Sequence, residues 1–311
     1  MHFKSIPLNF RKGIATRRII NGIILCLIFT LYNCKVDDEM MYHNTHLKQY
    51  TINTNTFNIT YDIQGKPIII GQNAINYNSS SKITIIDPYY YFTYNEHNNI
   101  NTISAISNAV YSLEDASLKY NAQGLIQTET INYIVASNPN TTIEMVRNFT
   151  YSDNQKLIEI LEKKLKKNEV NLIKKLLIYY DNKDNIVKTE HFISLNSGIS
   201  YQKEYVVLFT YDTKKNPFYN LLLDAGVLNN YTKLQYFGVP TISLGSGNLK
   251  LQYYSKHNLL SSKKIRNNES INTVNYQYMY NIDSLPINLV KTTINSKNEM
   301  NREHFSWLYE K

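Results

Sequence analysis

A tyrosine followed by Asp, Asn or Ser, then a polar turn and a fresh apolar run, recurs about every 30 residues along the chain. No pattern in the sequence restricts the fold more. The copies begin at Tyr61-Asp62, Tyr94-Asn95, Tyr120-Asn121, Tyr151-Ser152, Tyr180-Asp181, Tyr211-Asp212, Tyr254-Ser255 and Tyr280-Asn281. Directly after the tyrosine, a short polar side chain can accept from the backbone two residues on and start a turn. Four residues after it stand Gly65, Asn98, Gly124 and Asn258, residue types that tolerate the left-handed backbone of a short bulged hairpin. Gln155, Asp184, Lys215 and Ser284 hold that place with less natural chemistry.

The flanks of these turns alternate as half-buried strands do. Phe57, Ile59 and Tyr61 fall on one face, and Asn58, Thr60 and Asp62 on the other. Tyrosine is abundant at 27 residues, and with Ile and Thr it favours strands, while Asn serves turns. One unit cannot bury its apolar face alone, so neighbours must stack. The expected fold is all-β: an antiparallel meander of about eight repeated hairpin units forming a curved or partly closed sheet. The repeated tyrosines make a structural ladder on one face. Residues 157–180 fit either an amphipathic helix or two strands joined at Lys166-Lys167-Asn168-Glu169, and the repeat on both sides favours the hairpin. Longer connections fall at 76–90, 136–147 and 224–248, and these loops are where a ligand site is expected.

The first residues belong to a different kind of segment. Lys4, Arg11, Lys12, Arg17 and Arg18 precede an apolar run of 13 residues, Ile19 to Leu31. A spanning helix needs about 20 apolar residues, so the run reads as a secretory signal. Leu31 stands three positions before Cys34, and Lys35, Asp37, Asp38 and Glu39 follow. This stretch resembles the lipobox of bacterial lipoproteins, although Asn33 and Tyr32 stand where small residues are usual. The resemblance implies that Cys34 is acylated and becomes the mature amino terminus. The basic-then-acidic residues after it resemble the export signal of Bacteroidota surface lipoproteins. The expected organisation is a signal peptide over 1–33, a lipidated tether over 34–50 and one β-repeat domain over 51–311.

Cys26 leaves with the signal and Cys34 carries lipid, so the mature domain has no internal disulfide and no cysteine metal site. The formal charge of +8 falls to +3 after residue 33, because five basic residues and no acidic ones are lost. That balance removes the main support for nucleic-acid binding.

The repeats resemble the tyrosine–aspartate repeats of Rhs-type proteins. The run from Phe209 through Tyr211-Asp212 to Pro217-Phe218, and that from Tyr276 to Pro286, resemble Bacteroidota lipoproteins of unknown function with a porin-like β fold. That resemblance implies the fold and no catalytic residue.

Catalytic patterns are weak. The seven histidines form no metal-ligand spacing, and Gly245-Ser246-Gly247 lacks the spacing and context of a nucleophile elbow. Asp224, Glu159 and Glu190 are too scattered in sequence to define a pair, and Trp307 reads as packing for the last strand. The expected protein is a non-catalytic, membrane-anchored lipoprotein of the outer membrane that exposes a sheet to the outside. It binds or scaffolds a glycan or protein, and it needs no cofactor, metal or nucleic acid. Two alternatives are a hydrolase assembled from distant loops and an outer-membrane β-barrel.

Overall fold

In the computed structural model, residues 45–87, 90–105, 114–134, 142–166, 169–194, 198–224 and 255–310 are described. The first strands are short: β1 (His46–Ile52), β2 (Asn55–Tyr61), β3 (Pro67–Ile70), β4 (Asn73–Tyr77), β5 (Ile83–Asp87), β6 (Tyr90–Tyr94), β7 (Ile100–Ala105) and β8 (Glu114–Tyr120). Longer ones follow: β9 (Ile126–Ile134), β10 (Thr142–Tyr151), β11 (Leu157–Lys166), β12 (Glu169–Tyr180), β13 (Ile186–Ser194) and β14 (Gln202–Lys215). After one helix, α1 (Pro217–Asp224), come β15 (His257–Arg266), β16 (Glu269–Tyr280), β17 (Pro286–Asn295) and β18 (Met300–Glu310). Residues 157–180 are the hairpin β11–β12, with Lys166 opposite Glu169.

Each strand pairs antiparallel with the next, and β18 returns to pair with β1. The expectation of a curved or partly closed sheet of about eight units is therefore corrected: the sheet closes into a barrel of eighteen strands. The closing contact joins residues 251 apart in sequence: His304 donates its amide to the Asn53 side chain at 2.9 Å. The Asn53 amide donates to the His304 carbonyl at 2.7 Å. The physical reason is edge cost. Nearly every strand carries an apolar face, and an open sheet would leave two edge strands with unpaired backbone beside exposed apolar side chains.

Inward-facing residues from β1 to β18 form one continuous core, including Ile59, Ile103, Ile131, Leu157, Leu176 and Val274. Helix α1 closes over this core at the barrel seam. Asn216 caps it by accepting from the Phe218 amide at 3.1 Å, with Pro217 in the first turn. Phe218 then packs edge-on to Tyr50 and Trp307, at ring separations of 5.5 and 6.3 Å.

One rim of the barrel carries the tyrosine turns. Asp62, Asn78, Asn95, Asn121 and Asp181 each accept from the amides two and four residues on, at 2.8 to 3.0 Å. The third residue after the cap turns left-handed. Asn98, Gln155, Asp184 and Ser284 do this at φ 59, 59, 67 and 62°, and Gly124 at 76°. A Cβ on Gly124 would meet nothing within 4 Å, so only the backbone angle asks for glycine there.

Every such turn is followed by a register shift at the tyrosine, as where Tyr94 opposes Ile100 while Thr93 opposes Thr102. The bulge leaves a carbonyl outside the ladder, and the next tyrosine fills it. Tyr77 donates to Pro67 O at 2.8 Å, Tyr94 to Ile83 O at 2.6 Å, and Tyr120 to Ile100 O at 2.8 Å. Tyr151 donates to Ile126 O and Tyr180 to Leu157 O, both at 2.9 Å. Tyr61 reaches Leu47 O and Tyr309 reaches Pro286 O, both at 2.8 Å. The acceptor, where the tyrosine turns follow one another, is the residue opposite the preceding tyrosine. Burial of these rings pushes the Tyr94 hydroxyl up to about 12.

Replacing Tyr120 by Phe keeps the ring and strands the Ile100 carbonyl, at a cost of about 1 kcal/mol. Urea unfolding should show a lower midpoint at unchanged slope. An unchanged midpoint would remove the hydroxyl from the barrel's stabilising contacts.

Candidate functional site: an interrupted turn and an inner polar belt

Among the described residues, the rim is irregular at one place. Each tyrosine of an unbroken turn opposes the sixth residue after it, but Tyr211 opposes Leu259, with 47 residues between the two. The turn has been opened and a long segment spliced in. Asp212 still caps it: its Oδ1 accepts from the amides of Lys214 at 2.8 Å and of Asn258 at 3.1 Å. Asn258 thus takes the role that Lys66 or Asn99 plays in the unbroken turns. The legs of the insertion are held by Asn216 N to Lys256 O at 2.8 Å and Asn216 Nδ2 to Ser255 O at 3.2 Å.

The tyrosine ladder also changes here. Tyr280 donates to Asp212 Oδ2 instead of to a strand carbonyl. Burial, followed by the hydrogen bond to Asp212, pushes its hydroxyl far above the phenol range. The Tyr211 hydroxyl lies buried beside Ser255 without a regular hydrogen bond. His257 Nδ1 meets Asn185 Oδ1 at 2.9 Å, and Asn185 Nδ2 donates to Asp181 at 3.0 Å. Burial pulls the Asp181 carboxyl up, but its hydrogen bonds from Asn185 and Lys183 outweigh that and hold it below the usual range. Each acidic group in this cluster is a structural acceptor.

Inside the barrel, polar residues form a belt from strand to strand. Glu129 on β9 opposes Arg147 on β10, which opposes Glu162 on β11, which opposes Lys174 on β12. Arg147 donates through Nη1 to Glu129 at 3.0 Å and through Nε to Glu162 at 2.9 Å. All three are buried, Arg147 at 1% exposure. On the next strands His191 stacks on Tyr205 at 4.2 Å, and Lys264 Nζ lies 3.7 Å over the Tyr205 ring. Lys291 on β17 pairs with Glu303 on β18. Burial, helped by Lys264 and Lys174, pulls the His191 imidazole down to about 3, so it is neutral at physiological pH.

Outward-facing positions on β2, β8 and β9 are polar. β2 presents Thr56, Asn58 and Thr60, β8 presents Asp115, Ser117 and Lys119, and β9 presents Thr128, Thr130 and Asn132. Hydroxyl pairs bridge strands there, Thr93 with Thr102 at 2.7 Å and Thr210 with Ser261 at 2.7 Å. Glu159 and Glu190 both face out, separated by Leu177 in one cross-strand row. Burial raises the Glu190 carboxyl, yet hydrogen bonds from Tyr179 and Lys203 outweigh it and keep it low. It is not a protonated general acid.

Among the expected site residues, Cys34, Lys35, Asp37, Asp38, Glu39 and Tyr254 lie outside the described residues, as do Gly245-Ser246-Gly247 and the loop beyond Asp224. Tyr61, Tyr94, Tyr120, Tyr151, Tyr180, Tyr211 and Tyr280 share one rim with Gly65 and Gly124. Tyr77-Asn78 belongs to the same rim and was hidden by its spacing of 16 residues from Tyr61. The belt was missed because Glu129, Arg147 and His191 look like ordinary polar residues in sequence. Among the described residues, no group of three His, Cys, Asp or Glu side chains could hold a metal ion.

No protein family matches the sequence, and no curated protein does. Among solved structures, the chain is similar to a porin-like protein from Bacteroides vulgatus at 12% identity and TM-score 0.41, covering 86% of this chain and 99% of that one. A porin-like protein from Bacteroides uniformis matches at 10% identity and TM-score 0.44, covering 85% and 96%. The TcdB2-TccC3 structure matches at 12% identity and TM-score 0.38, over 83% of this chain and 14% of that one. At such scores the barrel assignment rests on the chain's own strand pairing.

Arg147→Met removes the cation to which both buried carboxylates are hydrogen-bonded and should cost roughly 3–5 kcal/mol in chemical unfolding. A loss near zero would mean the belt is hydrated and not buried. His191 gives a pH signature. Its folded pKa lies below the unfolded value, so its contribution is complete above about pH 6.5 and declines as pH falls toward 3. A His191→Gln variant should therefore lose less stability than the parent between pH 6.5 and 4; parallel curves would contradict the buried neutral imidazole.

Proposed function

We propose that this is a β-barrel lipoprotein of the bacterial outer membrane. Cys34 carries the lipid, and the barrel stands in water as a filled, non-catalytic body that binds or scaffolds an extracellular glycan or protein. The observation that carries this reading is the polarity of the barrel, apolar within and Thr, Asn, Lys and Glu without. Strand length supports it. β3 and β4 have four and five residues and run between described tight turns. At about 3.3 Å per residue β3 reaches roughly 13 Å, against a hydrocarbon thickness of about 30 Å. A membrane barrel also needs an outward apolar band flanked by aromatic girdles.

An inserted outer-membrane barrel is the second reading. The even number of antiparallel strands and the nine to fourteen residues of β9 to β18 favour it.

One experiment separates the two. Cells expressing the chain and its Cys34→Ala variant are labelled with radioactive palmitate, and their membranes are washed with alkaline carbonate. Under the tethered reading the variant loses label and is extracted by the wash. A variant that stays in the washed membrane is an inserted barrel, and undiminished label would remove Cys34 as the anchor.

A further inference from the structure

The barrel's outer surface has two unlike sides. From β2 to β9 the outward residues are mostly neutral hydroxyls and amides, with Ile69 and Tyr91 exposed among them and Asp87, Asp115 and Lys119 as isolated charges. From β11 to β15 they form a chequered surface. One cross-strand row reads Leu161, Lys175, Phe192 and Lys203. Four residues along, a parallel row reads Tyr179, Lys188, Leu208 and Lys263. The row between them holds the acids: Glu159, Leu177, Glu190, Val206 and Ile265. With Lys163 on β11, five lysines face out against two glutamates. That surplus of three equals the net charge of the whole chain after residue 33.

The lysines are held flat on this side by rings. Lys175 Nζ lies 4.3 Å over Tyr201 and 5.2 Å over Phe192, and Lys188 Nζ lies 3.8 Å over Tyr179. Glu190 takes Lys203 at 3.0 Å and Lys188 at 3.5 Å, so one carboxylate is shared by two ammonium groups. Tyr179 and Leu208 stay more than a third exposed between the cations.

We propose that the β11–β15 face docks on an anionic lipid surface, with phosphate headgroups as the recognised chemistry. Lysines alone would fit any polyanion. The interleaved Leu177, Tyr179, Val206 and Leu208 are what selects a bilayer, because Lys with apolar and aromatic neighbours places its stem at the interface and its charge among the headgroups. The inference rests on the tethered reading, since a barrel that spans the membrane would not lay this side along it.

The full mature chain, extracted in detergent, is mixed with vesicles of phosphatidylcholine alone or with added phosphatidylglycerol. Flotation and limited lysine acetylation read by mass spectrometry follow. Lys175, Lys203 and Lys263 should react about tenfold more slowly on the anionic vesicles only, regain reactivity as salt rises, and leave Lys119 unchanged. A chain that floats on both vesicle types with these lysines equally reactive keeps its anchor and lacks the docking face. One that floats only on anionic vesicles lacks the anchor and keeps the face. Flotation on neither removes both, and protection by soluble polygalacturonate without vesicles would reassign the face to an acidic glycan.

Discussion

A β-bulge beside each rim turn takes one carbonyl out of the sheet, and the following tyrosine hydroxyl gives it back a donor. That hydrogen bond fixes more than its own strength. It requires the ring to point inward and sets the offset between consecutive hairpins, because the acceptor is the residue opposite the tyrosine before it. Tyr77, Tyr94, Tyr120, Tyr151 and Tyr180 apply this rule five times in succession. Repeated at constant offset, it advances the sheet around a ring until β18 reaches β1. Phe218 and Trp307 then pack at that seam.

Alternation gives such a ring two unlike faces. The apolar core and the polar belt lie on the inner one, and rows of Thr, Asn, Lys and Glu broken by Ile69, Tyr91 and Leu208 lie on the outer one. Among the described residues, the insertion after Tyr211 is the one place where the rim departs from its rule, and Asp212 shows how the departure is tolerated. Its Oδ1 caps across the insertion through Asn258, and its Oδ2 takes the hydroxyl that the ladder no longer uses.

The polar belt is the costly part of the interior. Three side chains, Glu129, Arg147 and Glu162, give up water, and the hydrogen bonds among them offset part of that. Their value lies in register. A slip of one residue between β9, β10 and β11 would turn the belt outward and expose the apolar neighbours Ile131 and Phe149.

The sequence by itself determined the local rules: strand alternation, the tyrosine followed by a capping Asx or Ser, the left-handed residue three further on and the β11–β12 hairpin. These depend on contacts within a few residues, so Tyr61-Asp62 and Gly65 display them without help. Even Gln155 and Asp184 complied, because the cap and the bulge impose the angle whatever the side chain. The tertiary structure alone decided closure, because pairing Asn53 with His304 depends on the summed twist and offset of every strand between them. It also decided which polar residues were inside and which lysines shared a face. Period-two alternation shows that two faces exist, but their assignment to core or water at Arg147 and Lys175 depends on neighbours that are far away in the chain.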